Sequence, residues 1–236
     1  MKYLRLFPLL FIIACTESPH KAEMEHQKHQ QTTEKHAHHK AVENKANEHM
    51  HQKSVSELIE RFESTERDEY QQPEKVLAYL GDIKGKKIMD IGAGSGYFTV
   101  KLAAQGAEVV AADVNDEFLA HINQRIQVDE IQNISSRKIP FDSPALAKNE
   151  VDMVFIVNTY HHIENRVEYF TQVKSGLKDN GELIIIDFFK TELPIGPSVN
   201  HKISMDVVVK ELQEAGFTIE EVNVNLLPMQ YLIKAS

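Results

Sequence analysis

Two aspartates, three glycines and one polar pentapeptide are the residues of this chain whose types and spacing could do chemistry. Asp90 stands two residues ahead of Gly92, Gly94 and Gly96 in the run D-I-G-A-G-S-G. Glycines so spaced let the backbone turn sharply and let a ligand approach with no Cβ in the way. The carboxylate of Asp90 would repel a pyrophosphate but suits a ligand with an ammonium group. Asp113, with Val114 beside it, ends a second apolar run, Glu108 to Ala112. An acidic residue there binds ribose hydroxyls in nucleoside-binding α/β folds. Asn115 and Asp116 can cap the helix that follows, which leaves Asp113 for a ligand. A third apolar run, 151–157, ends in Asn158-Thr159-Tyr160-His161-His162. Its imidazoles titrate near neutral pH and suit proton transfer.

The elements that position these residues can be read from periodicity. Ile88 to Ile91 reads as a strand, the glycines as a turn, and Tyr97, Phe98, Val100 and Leu102 as a helix. That is the first half of a βαβ unit, with the helix N-terminus facing an anionic ligand group. Glu108 to Ala112 is a second strand, and Phe118, Leu119, Ile122 and Ile126 mark the next helix. A third strand is expected near Ile131 to Ile134, followed by SSRKIPFDSPAL. VDMVFIV has the continuous apolar character of a buried parallel strand. Ile163, Val167, Phe170, Val173 and Leu177 predict a helix, Lys178 to Gly181 a turn, and Leu183 to Asp187 a fifth strand. Ser204 to Gly216 reads as the last helix, and Phe217 to Val224 and Met229 to Lys234 as a strand pair. Ahead of the first strand, Ser54 and Glu57 fit a capping box before Val55, Leu58, Ile59 and Phe62. Pro73 opens a second helix that Gly81 ends. The polar link between them, Arg67 to Gln72, could fold over a ligand or simply connect.

The D-I-G-A-G-S-G motif resembles the first motif of class I methyltransferases that use S-adenosyl-L-methionine. The element order βαβαβαβαβαββ from Lys86 to Ser236 is similar to theirs over nearly the whole domain. The resemblance implies an α/β, Rossmann-like, seven-stranded sheet with helices on both faces and the last strand antiparallel. It implies cofactor binding by Asp90, Gly92, Gly94, Gly96, Asp113, Val114, Asp142 and Asn158, with Asp142 near the adenine amino group. It places His161, His162 and Tyr160 beside the methyl group, as candidate bases and a pocket-shaping residue, with Tyr70 lining the pocket. N-T-Y-H-H does not match the N-P-P-Y or D-P-P-Y pattern of amino-methylating nucleic-acid enzymes. The acceptor is therefore expected to be a small molecule. The competing reading is a catalytically lapsed, lipid-anchored metal- or ligand-binding protein on the same fold. An NAD-type oxidoreductase is disfavoured by Tyr97, which stands where G-x-G-x-x-G needs its third glycine.

A formal net charge of −9 argues against a broad nucleic-acid-binding surface. Residues 1–15 place Lys2 and Arg5 before a short apolar run that ends at Ala14-Cys15, the only cysteine. That layout fits a secretory signal and is too short to span a membrane. Ile12-Ile13-Ala14-Cys15 resembles the lipobox of bacterial lipoproteins. It implies a lipidated Cys15 and a domain in the cell envelope facing the periplasm, or in the cytoplasm if the signal is not used. Residues 16–53 hold eight His, six Lys and six Glu, with few large apolar residues. Such a segment cannot offset ordering entropy by burial and reads as a disordered tether. Its histidines could bind a metal weakly, but the ligand spacing of a structural zinc site is absent. The folded domain is expected over 54–236, with 54–85 as cap helices.

Overall fold

A computed structural model describes residues 53–236. The signal peptide with its lipobox expected over 1–15 and, apart from Lys53, the His-rich tether expected over 16–53 lie outside the described residues. Three short helices come first: α1 (Val55–Phe62), α2 (Thr65–Gln71) and α3 (Pro73–Leu80). The Ser54 and Glu57 capping box closes the N-terminus of α1 in both directions, and Pro73 opens α3. Where a polar link was expected there is a helix. Ser64 caps α2 by accepting from the Arg67 amide, and α2 buries Gln71 rather than an aliphatic stripe. Apolar periodicity has no purchase on such a helix.

The sheet follows as β1 (Lys87–Ile91), β2 (Glu108–Asp113), β3 (Ile134–Lys138), β4 (Val151–Val157), β5 (Leu177–Phe188), β6 (Ile219–Asn223) and β7 (Gln230–Ala235). Between its strands run α4 (Tyr97–Ala104), α5 (Asp116–Val128), α6 (Arg166–Gly176) and α7 (Met205–Glu214). The strand order is β3-β2-β1-β4-β5-β7-β6. The first five strands are parallel, and β7 inserts antiparallel between β5 and β6. This is the expected seven-stranded sheet.

Alternate residues of each strand feed two cores, as the pleat requires. Met89, Ile91, Val154 and Ile156 face α6 and α7, through Phe170, Val173, Val208 and Leu212. Ile88, Met153 and Phe155 face α3, α4 and α5, through Val76, Phe98, Leu102 and Ile122. Helices therefore cover both faces.

Two strands differ from expectation. β3 begins at Ile134, where Ile131 to Ile134 was expected. Before it, the Ile131 amide closes onto Ile126, and the Asn133 side chain donates to the Ala103 and Ala107 carbonyls. As an edge strand β3 needs little apolar sequence, and I-S-S-R-K supplies little. β5 begins at Leu177, where a turn over Lys178 to Gly181 was expected. Val151 pairs with Leu177 and Met153 with Glu182, so the extra residues form a bulge inside the strand. Among the described residues no helix is long and apolar enough to cross a membrane.

Candidate active site

The strand order reverses between β1 and β4, and ligands of open α/β sheets bind beyond the carboxyl ends of strands at such a point. The glycine loop lies there. The Gly92 and Ala93 amides both donate to the Ala112 carbonyl, which ties the loop to the end of β2. Gly92, Gly94 and Gly96 all have positive φ, at 75°, 56° and 81°. At Gly92 space also forbids a side chain, since a Cβ would lie 2.3 Å from Thr159 Oγ1. The β1 and β4 loops meet at that contact. Asp90 is 4 % exposed and accepts from Thr99 Oγ1 at 2.6 Å. Burial pushes its carboxyl up to about 6, against the pull of Thr99 and the Arg67 charge. Asp113 is also buried. It accepts from the Gly94 amide and the Asn115 amide, each at 2.9 Å, and burial raises it too. Asn115 caps α5, as expected.

The loop is covered by the N-terminal helices. Phe62 packs against Gly94, and Glu63 accepts from Ser95 Oγ and from Arg125. Asp68 accepts from the Tyr97 hydroxyl, and the Arg67 guanidinium lies 4.0 Å from the centre of the Tyr97 ring. Gln71, Asn158 and Gln230 form a closed ring of carboxamides, each donating to the next. This ring ties α2 to the ends of β4 and β7. Asn158 holds left-handed backbone, φ 57°, to reach it.

Beyond β4, His161 and His162 lie in a 3₁₀ turn, Tyr160–His162. His161 Nδ1 sits 2.9 Å and 3.0 Å from the two oxygens of Asp187, and its amide donates to the same carboxylate. Asp187 is 1 % exposed and stands at the carboxyl end of β5. The His161 and His162 rings lie 4.2 Å apart. Burial, with His161 and His201 adding, pulls His162 well below the usual imidazole range, so it stays neutral.

A family model described as a methyltransferase domain matches residues 82–223, from just before β1 through β6. The chain belongs to this methyltransferase family. It is similar to a SAM-dependent methyltransferase of known structure from Aquifex aeolicus, at 25% identity and a TM-score of 0.72, covering 78% of this chain and 98% of that one. A ubiquinone biosynthesis O-methyltransferase of Acinetobacter baumannii is 24% identical over 60% of this chain and 67% of its own length. A tRNA U34 carboxymethyltransferase of Pseudoalteromonas translucida is 28% identical over 48% of this chain. The match spans 35% of that relative's length. The domain is of the SAM-dependent methyltransferase type, and the site fits that cofactor: among the described residues Asp90 makes no ion pair, Asp113 has lone pairs to spare for a diol, and Gly92 leaves no Cβ in the cradle.

The methyltransferase places the other expected residues less uniformly. Val114 is half-buried and packs on the α6–α7 core. The Tyr160 side chain is fully buried, stacks on Phe170 and donates to Glu211 of α7 at 2.6 Å. Its hydroxyl faces the core, so its role is packing rather than acceptor binding. Asp142 is exposed; its carbonyl accepts from Gln172, and with Ser143, Asn165, Glu168 and Tyr169 it lines a depression beside α6. No hydrogen bond joins it to the glycine loop or Asp113 among the described residues. Tyr70, on α2, packs against Phe188 at 5.8 Å. Sequence reading gave Arg67 and Gln71 only as part of a link that could fold over a ligand, and missed Asp187 and Gln230. Asp187 carried a signal, since it ends the apolar run Leu183–Ile186 as Asp113 ends its own.

Proposed function

We propose that this methyltransferase methylates a hydroxyl of a small-molecule acceptor, with His161 as the proton acceptor. S-adenosylmethionine supplies a methyl group on a sulfonium, already a good leaving centre. The chain must then hold the reactants close and aligned, which can account for about 7–11 kcal/mol of barrier. A hydroxyl also has to lose its proton. The observation that carries the reading is the His161–Asp187 pair at the carboxyl ends of β4 and β5. A carboxylate on Nδ1 fixes the tautomer with its proton there and leaves Nε2 to accept. It also stabilises the imidazolium that forms. The similar ubiquinone biosynthesis protein is named for O-methylation, which supports the same acceptor atom. A net charge of −9 speaks against tRNA as the acceptor. The lapsed-enzyme alternative is disfavoured because Asp90, the glycines and Asp113 are all in place.

The test incubates the full chain with S-adenosylmethionine and panels of phenols and catechols, amines and thiols, and follows S-adenosylhomocysteine release. Turnover should be confined to the hydroxyl panel. His161→Gln should lower kcat by about 10²–10⁴-fold, and Asp187→Asn should remove part of that with an altered pH profile. Turnover of amines alone, unaffected by His161→Gln, would sink the reading. We also propose that Cys15 is lipidated and anchors the domain in the cell envelope, with residues 16–53 as the tether. Globomycin-sensitive processing supports this; an uncleaved cytosolic product refutes it.

A further inference from the structure

Lys202 carries a buried ammonium. The residue is 1 % exposed, whereas lysine is almost never fully buried without a paired charge. Its Nζ donates to the Thr191 carbonyl at 2.8 Å and lies 5.8 Å from the centre of the Phe188 ring. Among the described residues it makes no ion pair. Burial pulls its pKa down, against the longer-range pull of the Glu192 and Asp187 carboxylates. An ammonium has three donors, and one neutral carbonyl supplies neither a full set of partners nor a counter-charge. Such a group is costly to hold unless a ligand brings the missing charge.

The loop that carries Lys202 puts it at the catalytic edge of the sheet. Residues 189–204 join β5 to α7, so the loop leaves the sheet at the carboxyl end of β5, directly after Asp187 and Phe188. It folds back on that strand end: at Gly196, φ 89°, a Cβ would lie 2.9 Å from the Phe188 ring. The Tyr231 hydroxyl donates to the Ile203 carbonyl and fixes the far end of the loop. His201, the residue before Lys202, is close enough to His162 to help lower its pKa. The loop therefore lies against the 3₁₀ turn that carries His161. Tyr70, from the N-terminal cover, packs on the same Phe188 ring. A histidine–aspartate pair, two aromatic rings and a buried cation thus share one edge of the sheet.

We propose that Lys202 is the receptor for a carboxylate on the acceptor, so that the molecule methylated is a hydroxy acid and the β5–α7 loop is the element that selects it. The inference rests on the hydroxyl reading of the active site. His161 takes the acceptor's hydroxyl proton, and Lys202 meets the charge elsewhere on the same molecule. The ammonium brings one positive charge, and Asp187 stands near it. That balance suits a monoanion and disfavours a phosphate dianion.

The experiment follows S-adenosylhomocysteine release by the full chain at pH 7 with 3,4-dihydroxybenzoate and 3,4-dihydroxycinnamate, each beside its methyl ester. Acid and ester share the ring and hydroxyls and differ in the charge. The wild-type protein should show kcat/KM about 10- to 100-fold higher for an acid than for its ester, chiefly through KM. Lys202→Met should lose that preference, with KM for the acid raised about 10- to 100-fold and the ester within about threefold of wild type. Lys202→Gln, which has an N–H for the Thr191 carbonyl but no charge, should behave as Lys202→Met does. A loss shared equally by acid and ester in Lys202→Met and repaired in Lys202→Gln would show a staple for the loop and overturn the proposal. So would wild-type protein that takes acid and ester alike or prefers the ester. If Lys202→Met does not fold, the wild-type preference and Lys202→Gln still decide. Wild-type protein that turns over amines and no hydroxyl compound would overturn the hydroxyl reading instead.

Discussion

Asp90→Asn should make the unliganded protein more stable and the cofactor bind less well. The carboxylate of Asp90 is 4 % exposed, and burial moves it from an ordinary 3.8 to about 6. At about 1.36 kcal/mol per pH unit, holding it ionised at pH 7 costs the folded state about 3 kcal/mol. The sign follows from proton counts. Between 3.8 and about 6 the folded state holds a proton that the unfolded chain has lost. Rising pH therefore lowers stability across that window and has no further effect above it. Asparagine has the same shape, can still accept from Thr99, and never ionises. The variant should gain up to about 3 kcal/mol at pH 7, or roughly 5–10 °C in Tm for a domain of this size. The difference should shrink to under about 1 kcal/mol near pH 4 and vanish only well below 3.8, where Asp90 is protonated in both states. Urea denaturation of the two proteins from pH 4 to pH 8 measures it. S-adenosylmethionine titration at pH 7 should show the variant binding at least about tenfold more weakly, because the ammonium loses its counter-charge. A variant less stable than wild type at pH 7, or a stability difference independent of pH, would refute the argument that buried charge is held here for the ligand.

Three further outcomes follow from the same geometry. Cofactor affinity of the wild-type protein should rise from pH 5 to about 6 as Asp90 deprotonates, then fall above about 8 as the ligand's own α-amino group loses its proton; titration calorimetry across pH reads both limbs. Gly92→Ala places a Cβ 2.3 Å from Thr159 Oγ1 on left-handed backbone. It should cost more than about 3 kcal/mol and abolish cofactor binding, with Thr159→Gly the variant that partly restores it. Glu150 accepts from Arg137, Lys87 and the Ala147 amide, and chiefly the Arg137 bond holds its pKa down at about 2. Its stabilisation should be complete above its ordinary 4.5 and be lost as pH falls towards about 2. Glu150→Gln should lower stability at pH 7 by about 1–2 kcal/mol and flatten that acid limb, as chemical denaturation would show.

The parts of this fold visible in the sequence are those in which burial leaves a period. Each parallel strand buried on both faces is an unbroken apolar run, so β1, β2 and β4 could be placed closely. β3 lies at the sheet edge, half of its pattern is polar, and its start was misplaced by three residues. α2 escaped notice because it buries carboxamide and guanidinium groups, whose partners are far away in the chain. Gln71 meets Gln230 across 159 residues, a pairing no local pattern encodes.

The same physics sorts the site residues. Asp90 and the glycines were legible as candidates because a strand, a tight turn and a helix start constrain neighbours a few residues apart. Asp113 was legible because a carboxylate at the end of an apolar strand stands against the composition around it. By that rule Asp187 was equally visible, ending Leu183–Ile186 at the same edge of the sheet. What sequence could not supply was its pairing with His161, 26 residues away, or which of two adjacent histidines would turn towards it. Tyr160 shows the converse. Its neighbours in N-T-Y-H-H suggest chemistry, yet its ring stacks on Phe170 and its hydroxyl reaches Glu211 on a later helix. A side chain points where the 3₁₀ turn sends it, and here that turn separates the histidine paired with Asp187 from a core residue one position away.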